Sequence, residues 1–160
     1  MNLSFFIPGK AQTAGSKRAF LLKRRDGSFV RRKDGSPIVN VTDDNPKSND
    51  WKGDVKRFVS EEYTGPLLTG PLEVTFTFWL ERPQYHYGRK GVKGSAPTHP
   101  DKKPDLLKLA RAVEDSLTGV LYVDDAQIVT ELLKKRWVDG PLIRPGVTIE
   151  IQWADLLQAA

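Results

Sequence analysis

The sequence predicts a mixed α/β (α+β) fold: a single compact domain, residues 1–160, with a small mixed sheet packed by two main helices. Segments with the period of a helix and segments with strand character alternate in the order strands, helix, strand, helix, strands. No linker or internal repeat is evident along the 160 residues. Their hydrophobic content of 39% and charged content of 28% are ordinary for one globular domain.

Four segments are typical of β-strands and are bounded by turn residues. They are residues 2–7, 72–80, 127–138 and 146–153. The second is the clearest, because apolar and polar side chains alternate along most of it. Asp26-Gly27, between the short segments 19–22 and 28–31, predicts a β-hairpin, and residues 37–41 predict a further strand.

The first predicted helix covers residues 46–63. Trp51, Val55, Phe58 and Val59 recur at helical spacing, and Pro46 suits a first turn. The second covers residues 105–117. Its apolar face gathers five side chains, Leu106, Leu109, Ala110, Val113 and Leu117.

Between strand 72–80 and the second helix, residues 83–104 have no apolar period and predict a long basic loop. Loops of this length in a compact domain are often functional or mobile. Tyr85, His86 and Tyr87 within it could stack on bases or lie along a nucleic-acid backbone. A plain flexible connector is the alternative interpretation.

Composition limits the function classes. The chain has a formal net charge of +5 and a sequence pI of about 9.5, which favours a polyanionic partner. No apolar run is long enough to span a membrane, and the N-terminus lacks the pattern of a secretory signal. Cysteine is absent and only two histidines are present, which argues against disulfides and zinc sites and favours a cytoplasmic protein.

Residues 103–129 carry the functional prediction. Asp105 stands at the start of the second helix, and Asp124 and Asp125 follow a break at Gly119, with basic residues on both sides. Carboxylates in a basic setting are what a magnesium-dependent nuclease needs. Each acid also has a structural interpretation: Asp105 as a helix N-cap, and the Asp124–Asp125 pair as turn residues.

Two further positions on the second helix bear on this prediction. Arg111 and Asp115 have the i, i+4 spacing of a surface ion pair. Leu107 lies on the polar face, next to Arg111, where the pattern of the helix favours a polar residue. It could cover a small apolar neighbour or form a subunit contact.

The stretch resembles the core of the RusA-type Holliday-junction resolvases of phages and prophages. That family's motif reads approximately Arg/Lys-Pro-Asp-x-Asp-Asn-Leu-x-Lys, then Asp-x-Leu-Asn/Thr-Gly, then Asp-Asp-x-Gln-Val/Ile. Residues 103–111, 115–119 and 124–128 follow it in order and spacing over about 27 residues. The opening strand, ending in residues 7–10, is also similar.

The resemblance implies a Mg²⁺-dependent homodimeric endonuclease, with Mn²⁺ as an alternative ion, that nicks two opposing strands of a four-way DNA junction in recombination and repair. Asp105 and Asp125 would be metal ligands, and Arg111 takes the place of a catalytic lysine. Asp124 matches a further acidic position. No small-molecule cofactor and no membrane partner are implied, and the setting would be the cytoplasm of a bacterium or phage-infected cell.

One departure from the motif is large. The second acid of the Asp-x-Asp pair is Leu107 here, and the following Asn is Lys108. Losing a carboxylate weakens the binding of a hard cation. Asp101, Glu73 and Glu131, in that order, are the candidates to replace it.

Basic residues near this core are predicted to bind DNA. They are Lys10, Lys17, Arg18, Arg89, Lys90, Lys93, Lys102, Lys103 and Lys108. Two alternatives to a nuclease stay open. One is a non-catalytic junction- or DNA-binding relative that has lost metal chemistry through Leu107, and the other is a structural phage protein with an incidental basic surface.

Overall fold

The fold is a four-stranded mixed sheet covered by two helices, as the sequence predicts. The computed structural model describes residues 1–15, 17–43, 45–140 and 143–153. Strands β1 (Asn2–Pro8), β8 (Gly146–Trp153), β4 (Leu72–Leu80) and β7 (Ile128–Trp137) lie side by side in that order. The first two pairings are antiparallel and the β4–β7 pairing is parallel.

Helices α1 (Pro46–Glu62) and α2 (Leu106–Leu117) pack against each other and enclose the core. Val74, Phe76 and Phe78 alternate along β4 and are buried, as are Val55 on α1 and Leu109 on α2. Burying each such side chain contributes on the order of 1.5–3 kcal/mol to stability. The predicted helices and sheet strands are therefore confirmed to within one or two residues at each end.

The basic segment 17–43 folds differently from the prediction. Asp26-Gly27 does form a hairpin turn, with Lys23 bridged to Phe29. However, β2 (Lys17–Leu21) pairs along its length with β3 (Val39–Asp43), not with residues 28–31. A second turn at Asp34-Gly35 fills the interval, because residues 31–38 repeat the pattern of residues 23–30.

This tandem repeat of eight residues corrects the expectation that the chain has none. KRRDGSFV is followed directly by RRKDGSPI. In each copy the Ser N–H and Oγ donate to the Asp carboxylate, at 2.9 and 2.7 Å in the first and 2.9 and 2.6 Å in the second. Gly27 and Gly35 both have φ of +84°, the left-handed conformation that glycine adopts most readily.

The two turns branch from the β2–β3 stem at a ring of three backbone hydrogen bonds. Leu22 N–H donates to Ile38 C=O at 3.0 Å, Ile38 N–H to Val30 C=O at 2.9 Å, and Val30 N–H to Leu22 C=O at 2.8 Å. We call residues 17–43 the forked arm. None of its residues belongs to the buried core of the described chain.

The predicted loop 83–104 is more ordered than expected. It contains a 3₁₀ turn (Gln84–His86) and a short hairpin of β5 (Tyr87–Gly88) and β6 (Gly91–Val92). His86 is buried against Trp137, with ring centroids 5.5 Å apart, whereas Tyr85 and Tyr87 are exposed. The buried Arg82 guanidinium connects the start of the loop to Pro97 within it and to Asp139 after β7, donating to the Asp139 carboxylate and to the Pro97 carbonyl.

Candidate active site on helix α2

Asp105 caps the N-terminus of α2. One oxygen of its carboxylate accepts a hydrogen bond from the Leu107 N–H at 3.1 Å, which confirms the predicted N-cap. Lys135 on β7 fixes the preceding segment by donating to the Lys102 and Pro104 carbonyls at 2.8 and 3.1 Å. The sheet therefore positions the start of α2.

Asp105 lies at a basic cleft. This cleft, of about 840 Å³, is lined by Thr13, residues 101–106, Lys108 and Lys135. Asp101, the first candidate to replace the missing acid, lines it as well. Four lysines and two aspartates thus share one open surface, a composition that suits contact with phosphates more than it suits a cation held by carboxylates alone.

Asp124 and Asp125 begin a 3₁₀ turn (Asp125–Gln127) beyond the other end of α2. The Asp124 carboxylate accepts from the Ala126 N–H at 2.8 Å, and the Gln127 side chain accepts from the Asp124 N–H at 2.9 Å. Gln127 also donates to the carbonyls of Leu68 and Gly70, at 3.1 and 2.9 Å. These bonds fix the backbone that carries Asp125.

Asp125 lies at a second, acidic cleft. This cleft, of about 340 Å³, is lined by Glu114 and by residues 125, 126 and 128–131, including Glu131. No residue that lines it also lines the basic cleft. The structure therefore brings Asp125 together with Glu114 and Glu131, and brings Asp105 together with Asp101. Glu73 lines neither cleft.

Glu114 is the most strongly perturbed acid of this group. Burial, a side-chain hydrogen bond with Glu131 and repulsion from Glu131, Asp125 and Asp115 raise the pKa of Glu114 to about 8. A proton therefore stabilises the Glu114–Glu131 pair at neutral pH. Burial, with added repulsion from Glu114 and Asp125, also raises the pKa of Tyr122 well above its usual range, and the Tyr122 hydroxyl donates to the Glu114 carbonyl at 3.2 Å.

Sequence reasoning did not select Glu114 as a site residue. A signal was available, because Glu114 lies seven residues after Leu107, and residues seven apart share one face of a helix. Glu131, in contrast, was a candidate to replace the missing acid. Its position could not be judged before the parallel pairing of β7 with β4 was known.

Arg111 and Asp115 do not form the ion pair that their spacing allowed. Asp115 instead pairs with Lys52 of α1, Nζ to Oδ2 at 2.6 Å. Arg111 is exposed on α2, one turn before Glu114. Leu107, predicted on the polar face, is 69% exposed. Gly119, with φ of +73°, follows the helix in the left-handed conformation that was expected.

The predicted DNA-binding residues lie in separate parts of the structure. Lys102, Lys103 and Lys108 line the basic cleft, and Lys10 lines a neighbouring cleft with Lys103. Arg89, Lys90 and Lys93 are exposed around the β5–β6 hairpin. The backbones of Lys17 and Arg18 lie in β2, but their side chains are outside the described part of the chain.

The acidic cleft fits a divalent cation in the type of its donors. Asp125, Glu114 and Glu131 supply carboxylate oxygens, the ligands that hard cations prefer. Burial is the main cause of the raised pKa of Glu114, and the neighbouring carboxylates raise it further. Among the described residues, no three acids or histidines already converge closely enough to ligate one ion. Holding one ion between all three acids would therefore require their side chains to move closer together.

Two comparisons with known proteins bear on this site. The family model described as "Endodeoxyribonuclease RusA" matches residues 24–152. The chain is also 26% identical over 103 residues to "Uncharacterized protein YqaN" of Bacillus subtilis (strain 168), covering 62% of this chain and 72% of that protein. Among the helices of the described residues, none has the length and apolar character to cross a membrane.

Proposed function

Because the chain belongs to the RusA family of endodeoxyribonucleases, we propose that it is a Mg²⁺-dependent endonuclease that resolves four-way DNA junctions by paired nicking. Nucleases of this family are generally dependent on a divalent metal. The observation that carries the proposal is the grouping of Glu114, Glu131 and Asp125 at one cleft beside α2. The setting would be DNA recombination and repair in the cytoplasm of a bacterium or phage-infected cell.

Asp125, Glu114 and Glu131 would hold Mg²⁺, with Mn²⁺ as a substitute. Glu114 would act as a ligand from the face of α2 that also carries residue 107, where the family motif has an acid, but about two turns further along the helix. It must lose its proton to do so, which makes binding of the ion stronger as the pH rises. When bound, such an ion activates a water molecule and stabilises the charge that grows on the phosphate.

Asp105 and Asp101, also predicted as ligands, have a separate place in the proposal. They lie at the basic cleft, so an ion held by them would be distinct from one held by Asp125. Lys102, Lys103 and Lys108 would bind the DNA backbone at this cleft. Arg111, one turn from Glu114 on α2, would contact the scissile phosphate through its guanidinium.

A homodimer would supply two such sites. Paired nicking of a four-way junction needs two active sites related by a twofold axis, and a symmetric dimer provides that arrangement. We therefore propose a dimer as the active species. Sedimentation of the protein with and without a junction tests this directly.

The decisive experiment uses a synthetic four-way junction, Mg²⁺ and single variants. We expect paired nicks from the natural protein and at least a hundredfold loss of cleavage in Asp125→Asn and Glu114→Gln. Glu150→Gln, an exposed acid on β8, serves as the matched control and should leave cleavage unchanged. Electron paramagnetic resonance of Mn²⁺ gives a second readout, with weaker binding in the two site variants.

The second candidate is a junction-binding relative without catalysis. Its support is Leu107, which is exposed at the position where the family motif has an acid. This candidate predicts binding of the junction without nicks, unchanged by Asp105→Asn or Asp125→Asn. That outcome would overturn the enzyme proposal while leaving a DNA-binding function in place.

A further inference from the structure

The forked arm carries the net charge of the whole chain. Residues 17–43 contain eight Lys and Arg against three Asp, a net charge of +5. The other residues of the chain contain seventeen basic and seventeen acidic side chains, which cancel. The arm is therefore a local basic element attached to an otherwise neutral protein.

Six of these cations sit at the two turns of the fork. Lys23, Arg24 and Arg25 lead into the first turn, and Arg31, Arg32 and Lys33 lead into the second; all six are exposed. Among the described residues, none of the six forms an ion pair with an acid. The two acids within the turns, Asp26 and Asp34, are each hydrogen-bonded to a serine of the same turn. The repeat therefore presents the same set of three cations twice.

The root of the arm adjoins the basic cleft. Ala14 N–H donates to the Lys108 carbonyl on α2 at 2.7 Å, and Thr13 lines the cleft. On the other side of the arm, Asn45 Nδ2 donates to the Thr13 carbonyl at 3.0 Å. Both ends of the arm are thus attached near Lys108, so the arm extends from the edge of the basic cleft.

We propose that the forked arm binds duplex DNA, with the cations of both turns on backbone phosphates. The inference rests on the proposed function, which makes DNA the substrate, and it adds the six cations of the turns to the predicted DNA-binding residues, two of which, Lys17 and Arg18, lie in β2 of the arm. Charge complementarity selects this partner. A two-stranded ribbon also has the width that a DNA groove admits.

The arm has exposed apolar side chains too, among them Phe20, Phe29 and Val41. These would suit a second copy of the chain instead of DNA. The cations favour DNA, because in a symmetric contact between two arms they would face each other and repel. The two partners give different results in the following experiment.

The test uses fluorescence anisotropy of a labelled duplex and a labelled four-way junction between 50 and 200 mM salt. Two double variants, Arg24→Gln/Arg25→Gln and Arg32→Gln/Lys33→Gln, each remove two charges from one turn. Lys23 and Arg31 are kept, because Lys23 stacks over Phe29 and Arg31 donates to the Gly35 carbonyl. The matched control is Lys47→Gln/Lys56→Gln, which removes two charges from exposed positions on α1.

Each phosphate contact contributes about 0.9 to the slope of log affinity against log salt. We expect each turn variant to reduce that slope by about 2 and the combined variant by about 3–4. The control should reduce it by less than about 0.5. Equal slopes for the natural protein and both turn variants, or a loss matched by the control, would overturn the proposal. So would a fall in sedimenting mass of the DNA-free turn variants, which would assign the arm to contact between copies.

The same variants separate this inference from the proposed nuclease. In a single turnover at sub-saturating protein, the turn variants should nick the junction more slowly than the natural protein, and saturating protein should restore the rate, because the acids of α2 are intact. Salt-dependent DNA binding through the arm, in a protein that nicks nothing, would support the arm and overturn the nuclease. Paired nicks from the natural protein, together with turn variants that bind the junction with its affinity and salt slope, would support the nuclease and overturn the arm.

Discussion

The carboxyl groups of Glu114 on α2 and Glu131 on β7 lie within hydrogen-bonding reach of each other, with Asp125 close by. Two such groups cannot both be ionised without mutual repulsion, and Glu114 is partly shielded from water. The pair therefore holds a proton at a pH where isolated glutamates have lost theirs. This relationship makes the site sensitive both to pH and to cations.

Stability without metal should fall as the pH rises from about 4.5 to about 8. Glu114 of the unfolded chain loses its proton near 4.5, whereas the folded pKa is about 8, so the folded state binds more protons in this range. Glu114→Gln should reduce the fall by roughly 1–2 kcal/mol, a figure reduced for partial solvent exposure. Urea unfolding at pH 5 and at pH 8, with a chelator present, measures this difference in the free energy of unfolding. An unchanged pH dependence in Glu114→Gln, or an equal effect of Glu150→Gln, would contradict the assignment.

Leu107→Asp should raise Mg²⁺-dependent cleavage at least tenfold. The change restores the acid of the family motif on the face of α2 that also carries Glu114. Folding should not suffer, because Leu107 is exposed and an acid in the first turn of a helix gains about 0.3–1 kcal/mol. Leu107→Asn is the matched control, being polar without the charge. If both variants cleave alike, the missing carboxylate does not limit activity.

Arg82→Ala should destabilise the protein by about 2–4 kcal/mol. The buried guanidinium donates to both Asp139 oxygens, at 3.1 and 3.2 Å, and to the Pro97 carbonyl at 2.9 Å. Its loss would remove the hydrogen bond that connects the start of segment 83–104 to Pro97. Asp139→Asn should cost less than about 1 kcal/mol, because the Asp139 side chain is 55% exposed. Equal costs for the two variants in urea unfolding would argue against the buried arginine as the principal contact.

Replacing each of two glycines by alanine should change the stability of the protein in opposite directions. A Cβ at Gly146 on β8 would lie 2.3 Å from the Ile7 carbonyl of β1, so Gly146→Ala must move one strand and should cost at least about 1–3 kcal/mol. At Gly53 in α1 a Cβ meets nothing within 4 Å, so Gly53→Ala should stabilise by about 0.5–1 kcal/mol. Thermal unfolding of the two variants measures both changes in stability. A stability gain in Gly146→Ala would show that β1 and β8 can move apart at little cost.

Local patterns predicted most of the secondary structure. The alternation in β4 and the helical spacing of Leu109, Val113 and Leu117 reflect burial on one face, which periodicity reports directly. The N-cap of Asp105 and the left-handed Gly119 were also predicted, because both depend on neighbours within a few residues.

Partners distant in sequence could not be predicted. Asp115 pairs with Lys52, 63 residues away, although Arg111 offered a suitable spacing. The contact between Glu114 and Glu131 depends on β7 running parallel to β4, which no local pattern fixes. The pairing of β2 with β3 across two intervening turns was missed because the eight-residue repeat was not recognised.

The confinement of the net charge to the forked arm has a consequence for the approach to a polyanion. The electrostatic field of a polyanion attracts the charged arm but exerts no net force on the neutral remainder of the chain. The field therefore rotates the molecule as well as attracting it, and the rotation precedes contact. Within about 10 Å of the surface at 0.1 M salt, where screening is incomplete, the torque is strongest. The arm would then contact the polyanion before the rest of the protein does, and the adjoining basic cleft at the start of α2 would already face the polyanion.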